Sequence, residues 1–192
     1  MSTREELNSR VWTTERCRIG AEERLNFCDL VGKLATIWYS VWLVILSVFQ
    51  DLLRQNYHFI DETSIALSVI VLTFTIAISG LRFGQRADLF KSSYHELQRL
   101  RADITNAKDK EIPLLENRYV DVLDGSPNHS SWDYNRLVVK RWWQNRGSAD
   151  LVRKPSRAEI IFFGLREVLG WFSIILLFGF PLGVIGWMYL VR

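Results

Sequence analysis

The sequence predicts an all-α integral membrane protein: an antiparallel transmembrane helical hairpin with long cytosolic helical extensions, plus a third C-terminal transmembrane helix. The apolar residues of the 192-residue chain are concentrated in three blocks, and no block contains a charged residue. A membrane-spanning helix needs about 20 mostly apolar residues, because a helix rises about 1.5 Å per residue and the hydrocarbon layer is about 30 Å thick. A helix of a soluble bundle would show a polar face over such a length.

The three blocks divide the chain into six predicted segments. In order they are a cytosolic amphipathic helix (1–33), transmembrane helix 1 (34–50), a short external loop (51–63), transmembrane helix 2 (64–81), a cytosolic helical region (82–167) and transmembrane helix 3 (168–191).

The distribution of Lys and Arg predicts the orientation. Six of these residues precede the first block, whereas the loop 51–63 contains only Arg54 and only Arg192 follows the third block. Since cytosolic flanks carry the excess of positive charge, we expect the N-terminus inside the cell and the C-terminus outside.

Aromatic residues at the block ends are expected in interfacial belts, with a packing role equally open for Trp38 and Tyr39. These residues are Trp38, Tyr39, Trp171, Trp187 and Tyr189.

Two apolar stripes predict helices outside the membrane. Before the first block, residues recur at alternating spacings of four and three, which indicates a heptad seam weakened by two polar members. This seam contains Leu7, Val11, Thr14, Arg18, Ala21, Leu25 and Cys28. A matching stripe after the second block contains Phe83, Ala87, Phe90, Tyr94, Leu97 and Ile104. Because the loop between the first two blocks is short, we expect these two helices to be antiparallel neighbours that pair as they leave the membrane.

Three shorter signals place the later helices. A short helix is predicted over residues 114–123, followed by a turn over 124–128. Ser130 or Ser131 can cap a further helix that starts near Trp132. Ser156 and Glu159 have the spacing of a capping box and predict the start of the last helix.

The sequence contains no pattern typical of catalysis. It shows no nucleophile paired with a base, no metal-binding cluster and no glycine-rich phosphate loop, so we expect neither an enzyme nor a bound cofactor or metal. Cys17 and Cys28 fall in the predicted cytosolic segment and are expected to be packing residues rather than a disulfide.

Two sequence runs carry a family resemblance. VWTTERCRIGAEERL (11–25) and ENRYVDVLDGSPNHSSWDY (116–134), together with the two-span hairpin, resemble the SLATT family over roughly residues 5 to 135. The resemblance is to the subgroup with an N-H-S-x-x-D-Y pattern. The matching motif residues are Trp12, Arg16, Glu22, Arg24, Asn128, His129, Asp133 and Tyr134. The third block departs from the two-span plan of that family.

The resemblance implies a function. SLATT proteins (SMODS and SLOG-associating two-transmembrane effector domains) are bacterial proteins found beside nucleotide-signalling and reverse-transcriptase genes. They are thought to be antiphage defence effectors that form pores or otherwise disrupt the inner membrane, an abortive-infection response. The resemblance thus implies a homo-oligomer among membrane lipids, triggered by a nucleotidyltransferase, a reverse transcriptase or a nucleotide signal. We expect no direct binding of nucleic acid.

The predicted spans contain two sets of small residues. In the second span Ser68, Thr75 and Ser79 share one face, with Thr73 and Gly80 on the opposite side, and this helix is expected either to line a pore or, preferably, to pack against another helix. Gly179 and Gly183 in the third span form a G-x-x-x-G pair that marks a helix contact or occurs by chance.

The charged motif residues and a basic aromatic patch lie outside the spans. Arg16, Glu22 and Arg24 are expected to pair with one another or with the helix after the second span, in preference to binding a ligand. His129 and Asp133 are expected to form a local helix cap. The basic aromatic patch contains Lys140, Arg141, Trp142, Trp143 and Arg146. Anionic lipid headgroups are its preferred partner, ahead of an acidic protein or a nucleic acid.

The residues leave three classes of function open. The preferred one is an effector that oligomerises and permeabilises the membrane. The alternatives are a non-conducting scaffold that recruits a cytosolic defence partner, and a small transporter. A transporter should carry charges inside its spans, and the three blocks have none.

Overall fold

The computed structural model describes residues 3–54, 60–128, 130–144 and 153–190, and these ranges are helical with short connections and no strand. The helices are α1 (Thr3–Val48), α2 (Gln50–Arg54), α3 (Ile60–Leu81), α4 (Phe83–Asn106), α5 (Ile112–Asp124), α6 (Ser131–Gln144) and α7 (Arg157–Leu190), with a 3₁₀ turn at Asp109–Glu111. The predicted all-α fold class is confirmed.

The chain forms two compact units. The helical unit comprises Met1–Asn26 and Phe83–Arg166, and the apolar unit comprises Phe27–Arg82 and Glu167–Arg192. Helix α1 contributes its first half to the helical unit and its second half to the apolar unit.

The core of the helical unit follows the two predicted stripes. On α1 the first six seam positions are buried, and on α4 most of the predicted stripe is buried, with Ser93 in place of the half-buried Tyr94. One cluster joins Leu7 and Val11 to Leu97, Leu100 and Ile104 of α4 and to Ile112 and Tyr119 of α5. A second cluster joins Ala21 and Leu25 to Ala87 and Phe90. The heptad spacing therefore identified the face of α1 that packs.

The two polar members of the seam are buried because each finds a hydrogen-bond partner. The Thr14 hydroxyl lies 2.8 Å from the hydroxyl of Tyr119. Arg18 is 1% exposed. It donates to the hydroxyl of Ser93 and, at 3.3 Å, to the carbonyl oxygen of Val122. Burial lowers the pKa of Arg18, although Tyr119 and Glu96 oppose the shift. These bonds replace the water that a buried polar group loses.

The predicted helix starts are confirmed by their caps. The backbone N–H of Asp133 donates to the Ser130 hydroxyl at 3.3 Å, and the backbone N–H of Ser130 donates back to the Asp133 carboxylate at 3.0 Å. Ser156 and Glu159 make the same reciprocal pair at the start of α7, at 3.2 and 2.7 Å. Each cap satisfies N–H groups that have no partner within the helix.

Within the apolar unit the helices have defined directions. Gly32 of α1 meets Ile78 of α3, and Gln50 donates to Asp61 at 2.7 Å, so α1 and α3 are antiparallel. Phe27 contacts Trp171 with ring centroids 6.1 Å apart, and the Trp38 indole N–H donates to the carbonyl oxygen of Phe178 at 3.1 Å. Helix α7 therefore runs in the same direction as α1. This order of directions is the one that three consecutive spans require.

Pro181 lies inside α7, and its position explains one of these contacts. A proline has no backbone N–H, so the carbonyl four residues earlier, that of Leu177, loses its helical donor. The Tyr39 hydroxyl donates to this carbonyl oxygen at 2.7 Å. Of the two roles left open for Trp38 and Tyr39, packing is the one seen, because both bond to backbone carbonyls of α7. The side chains of Trp187 and Tyr189 lie outside the described part of the chain.

The predicted cytosolic extension of the second span is a separate helix, because α3 ends at Leu81 and α4 begins at Phe83. Arg82 between them has a φ of 48°, in the left-handed region that side chains with a Cβ disfavour. The residue at the break is an arginine rather than a glycine or a proline, so its identity gave no signal for the break.

Candidate functional site

Three helices of the described chain, α1, α3 and α7, are long and apolar enough to cross a membrane. Almost none of the residues in their apolar windows is buried within the chain. Their exposed surfaces consist of large apolar side chains such as Ile37, Val69 and Ile175. In water, apolar surface of this extent would be strongly unfavourable, so these faces fit a lipid environment or another protein.

Three hydroxyl groups on the two small faces of α3 donate to carbonyl oxygens of the same helix. Ser68 donates to the carbonyl oxygen of Ser64 at 2.7 Å, Thr73 to that of Val69 at 2.8 Å and Thr75 to that of Val71 at 2.8 Å. Ser68, Thr73 and Ser79 are exposed in the single chain, whereas Thr75 is half-buried. Since the hydroxyls need no partner from another helix, both small faces of α3 can meet either lipid or a neighbouring chain.

The glycines of the spans differ in their surroundings. A Cβ atom placed on Gly80, Gly179 or Gly183 would meet nothing within 4 Å. A Cβ atom on Gly32 would lie 2.9 Å from Cγ2 of Ile78. The G-x-x-x-G pair of α7 therefore makes no helix contact among the described residues of one chain. The close approach within the apolar unit occurs at Gly32, four residues after the last position of the α1 seam.

In the helical unit, Arg24 of α1 binds Asp133 of α6. Arg24 Nε donates to one carboxylate oxygen at 3.0 Å and Nη2 donates to the other at 3.2 Å. The Asp133 side chain is fully buried, and it also accepts from the Ser130 hydroxyl at 2.7 Å. Burial alone would raise the pKa of Asp133, but the hydrogen bonds from Arg24 and Ser130 outweigh it and hold the pKa below its ordinary value. Asp133 is therefore ionised and fixed at neutral pH.

A cleft of about 400 Å³ lies beside this pair, between α1 and α6. The Arg141 guanidinium stands 4.0 Å from the centroid of the Trp12 ring, and that of Arg16 stands 5.8 Å away. These distances are typical of cation–π contacts. The charged residues that line the cleft are Arg16, Arg136, Lys140, Arg141, Glu23 and Asp133.

Trp132 anchors the start of α6 to α7 within the helical unit. Its ring stacks on Phe163 at 5.5 Å and meets Phe162 edge-on at 6.0 Å. The Arg166 guanidinium lies 4.3 Å from the Trp132 centroid. The sequence predicted a helix here but gave no signal for these partners, because they lie about 30 residues further along the chain.

The residues of the predicted basic aromatic patch differ in exposure. Lys140 and Arg141 line the cleft, Trp142 is half-buried and Trp143 is 61% exposed. Arg146 lies outside the described residues. A lipid contact by the exposed Trp143 stays a prediction.

The two cysteines are free thiols, with Cys17 buried and Cys28 half-buried. Burial, together with the negative charge of Asp133, raises the pKa of Cys17 to about 12. Cys17 is therefore protonated at neutral pH and packs as a small apolar residue, as predicted.

Residues 1–185 match the sequence model of one family, described as SMODS and SLOG-associating 2TM effector domain family 5. The chain belongs to the SLATT family. No curated protein and no solved structure shows detectable similarity to it. The match extends beyond the expected end near residue 135 and includes most of α7. SLATT membership, together with the three apolar helices, makes the chain a membrane effector of antiphage defence.

The structure brings the two SLATT motifs together. Trp12, Arg16 and Arg24 of the first motif meet Asp133 of the second motif and the α6 residues that follow it. The expectation that Arg24 pairs within its own motif or with α4 is wrong, because its partner is Asp133.

The remaining motif residues lie at the edge of this contact. Glu22 accepts a hydrogen bond from Asn26 at 2.6 Å, Tyr134 is half-buried in α6 and Asn128 is exposed. His129 lies outside the described residues. The expected local cap is confirmed for Asp133, which combines the cap with the contact to Arg24.

Proposed function

We propose that this SLATT protein oligomerises in the bacterial inner membrane and permeabilises it when a nucleotide-signalling or reverse-transcriptase-linked sensor is triggered. The observation that carries the proposal is the uncovered surface of the apolar unit. Its apolar windows are almost entirely unburied, and a Cβ atom on Gly80 of α3 or on Gly179 or Gly183 of α7 would meet nothing within 4 Å in one described chain.

Oligomerisation follows from the number of helices. Three helices are too few to surround a water-filled path, so conduction requires several copies around an axis. Small residues allow helix backbones to approach closely, which suits Gly80, Gly179 and Gly183 to contacts between copies. The hydroxyl face of α3 is among the least hydrophobic surfaces in the spans, and it is suited either to line the path or to build these contacts.

The proposed activity needs no catalysis, and the inferred partners are lipids, further copies and a sensor protein or nucleotide signal. The orientation is part of the proposal, with the N-terminus in the cytosol and the C-terminus outside. The parallel directions of α1 and α7 support termini on opposite sides of the membrane. The excess of Lys and Arg before the first span is what assigns the N-terminus to the cytosol. A reporter that is active only outside the cytosol should be active after Arg192 and inactive at Gly125. The reverse pattern would refute the orientation.

The activity is tested by introducing bulk on the hydroxyl face. Thr75→Leu or Ser79→Leu should abolish membrane depolarisation when the protein is triggered or overproduced, because either a pore wall or a helix contact is blocked. Val69→Leu, on a flank of the same helix and already 57% exposed, is the matched control and should be tolerated. A protein that never depolarises a membrane in any state would exclude permeabilisation.

Single cysteines distinguish the two roles of this face. Cys at Ser68, Thr75 or Ser79, in a chain lacking Cys17 and Cys28, is treated with a charged thiol reagent during conduction. Lining positions should react and alter the conductance, whereas packed positions should stay silent. Crosslinking in native-like lipid that gives only monomer under activating conditions would rule out a pore.

A second function, a non-conducting scaffold, is favoured by the cleft of the helical unit, which offers a defined surface for a cytosolic partner. A scaffold predicts harmless expression and sensor binding without depolarisation. Measuring depolarisation and sensor binding on the same samples separates it from the effector that permeabilises the membrane.

A further inference from the structure

We propose that the cleft between α1 and α6 binds a small ligand that carries phosphate. Its volume of about 400 Å³ falls within the range of about 300–1,000 Å³ typical of small-molecule sites. The proposal concerns binding alone and does not depend on whether the protein permeabilises a membrane.

The charge of the cleft favours an anion. Four cationic side chains line it, Arg16, Arg136, Lys140 and Arg141, against the carboxylates of Glu23 and Asp133. The Asp133 carboxylate is already compensated by the two hydrogen bonds from Arg24. Even with Arg141 left out of the balance, Glu23 is the one remaining carboxylate in the described lining beside Arg16, Arg136 and Lys140, which leaves a surplus of positive charge in a concave site, where electrostatic attraction is focused.

Three of the cleft cations, Arg16, Arg136 and Lys140, have no carboxylate within 4 Å among the residues that the structure describes. The Nε atom of Arg136 is buried and has no hydrogen-bond partner within the same described ranges. A buried donor on a cation is costly when it is unpaired, so an anion that supplies an acceptor there would gain the corresponding binding energy.

The cleft is also partly pre-organised. The contact with Trp12 at 4.0 Å orients the Arg141 guanidinium, and the Arg24 fork fixes the first turn of α6. A guanidinium donates two parallel hydrogen bonds to a phosphate, and a lysine adds a point charge. A phosphodiester offers two charged oxygens and a terminal phosphate offers three, so a phosphate group can accept hydrogen bonds from several of these cations together.

Two sources share this chemistry, a soluble nucleotide and a phospholipid headgroup. The test uses the full chain at low salt in nanodiscs of zwitterionic phosphatidylcholine, which has no net charge. A fluorescent ATP analogue is the probe, and inorganic pyrophosphate is the competitor. The variants are Arg16→Gln and Lys140→Gln, both at exposed side chains whose replacement should leave the fold intact. Lys91→Gln on α4 is the matched control, since it removes the same charge from an exposed position outside the cleft.

We expect the wild-type chain to bind the ATP analogue and pyrophosphate to displace it. Each cleft variant should weaken binding about tenfold, as expected for one lost charge-assisted contact, and Lys91→Gln should weaken it less than about twofold. Absence of binding by the wild-type chain would overturn the proposal. An equal loss in Lys91→Gln would also overturn it, because binding would then follow net charge rather than the cleft.

A second arm repeats the measurement in nanodiscs containing phosphatidylglycerol. If phosphatidylglycerol weakens binding of the ATP analogue, and this effect requires Arg16 and Lys140, the cleft is assigned to a lipid headgroup. Unchanged binding of the ATP analogue assigns it to a soluble phosphate compound. Both results support phosphate recognition and differ only in the source of the ligand.

Discussion

Replacing Tyr39 by Phe should destabilise the apolar unit through a carbonyl group on another helix. The Tyr39 hydroxyl donates at 2.7 Å to the carbonyl oxygen of Leu177, which Pro181 deprives of its helical donor. Tyr39→Phe keeps the ring and removes only this donor. In a hydrocarbon layer no water can replace it, so the carbonyl is left unsatisfied.

The expected loss is about 1–2 kcal/mol in the free energy of unfolding, the range for a hydrogen bond whose acceptor becomes unpaired between membrane helices. Pro181→Ala restores a backbone N–H to α7. In that background the carbonyl of Leu177 has a helical partner, and Tyr39→Phe should cost less than about 0.5 kcal/mol. The double-mutant cycle should therefore show a coupling of about 1 kcal/mol.

The measurement is reversible unfolding of the full chain in mixed micelles with increasing dodecyl sulfate, followed by loss of helical circular dichroism. Ser40→Ala is the matched control. The Ser40 hydroxyl donates at 2.8 Å to the carbonyl oxygen of Thr36 in its own helix, and this carbonyl keeps its backbone donor when the hydroxyl is removed. Two results would refute the idea that the Tyr39 hydroxyl replaces the donor that Pro181 removes. In one, Tyr39→Phe lowers the free energy of unfolding equally with and without Pro181, and in the other it lowers it by no more than Ser40→Ala does.

Further predictions concern packing and pH. Leu97→Ala, at a fully buried position, should lower the free energy of unfolding by about 2–5 kcal/mol, whereas Leu114→Ala, 71% exposed, should change it by less than about 0.5 kcal/mol in the same denaturation assay. Gly32→Ala should destabilise micellar protein by about 1 kcal/mol because its Cβ would crowd α3, while Gly179→Ala, with open space around it, should stabilise a monomer by about 0.5–1 kcal/mol. The lowered pKa of Asp133 means that its stabilising contribution is present above the ordinary aspartate pKa of about 3.9 and is lost as the pH falls through the lower folded value. Hydrogen exchange in α6, measured relative to the intrinsic exchange rate at each pH, should therefore accelerate on acidification below about pH 4 in the wild type. The same ratio should respond far less in Asp133→Asn.

Local periodicity was enough to predict most of the helices. The α1 seam and the α4 stripe identified buried faces correctly because a packed helix repeats its contacts every three to four residues. The caps at Ser130 and Ser156 were readable for a similar reason, since each depends on residues only three positions apart.

The contacts that build the site could not be read in this way. Arg24 and Asp133 are 109 residues apart, and nothing in either motif specifies the other as a partner. Periodicity reports which face of a helix is buried but not which polar group it meets. The hydrogen bond from Tyr39 to the carbonyl oxygen of Leu177 joins residues that are 138 positions apart. The sequence contained one signal from which this bond could have been predicted. An internal proline in a span always leaves a carbonyl that needs a donor from elsewhere, and tyrosine in a neighbouring span can supply it.

The family description counts two transmembrane helices, and the surface of α7 argues that this member has three. Between residues 168 and 184 its exposed large apolar side chains are Val168, Leu169, Trp171, Phe172, Ile175, Leu176, Phe180, Leu182 and Val184. Leaving each of them about half exposed to water costs about 1 kcal/mol, so the sum is on the order of 10 kcal/mol, as large as the stability of a typical domain. Helix α7 also accepts hydrogen bonds from Trp38 and Tyr39 of α1, which places it in the same apolar layer as the first span. A surface of that cost is maintained only where lipid or another copy of the chain covers it. Because the chain belongs to a family of membrane effectors and α7 packs on α1, that cover lies in the membrane layer that holds α1 and α3.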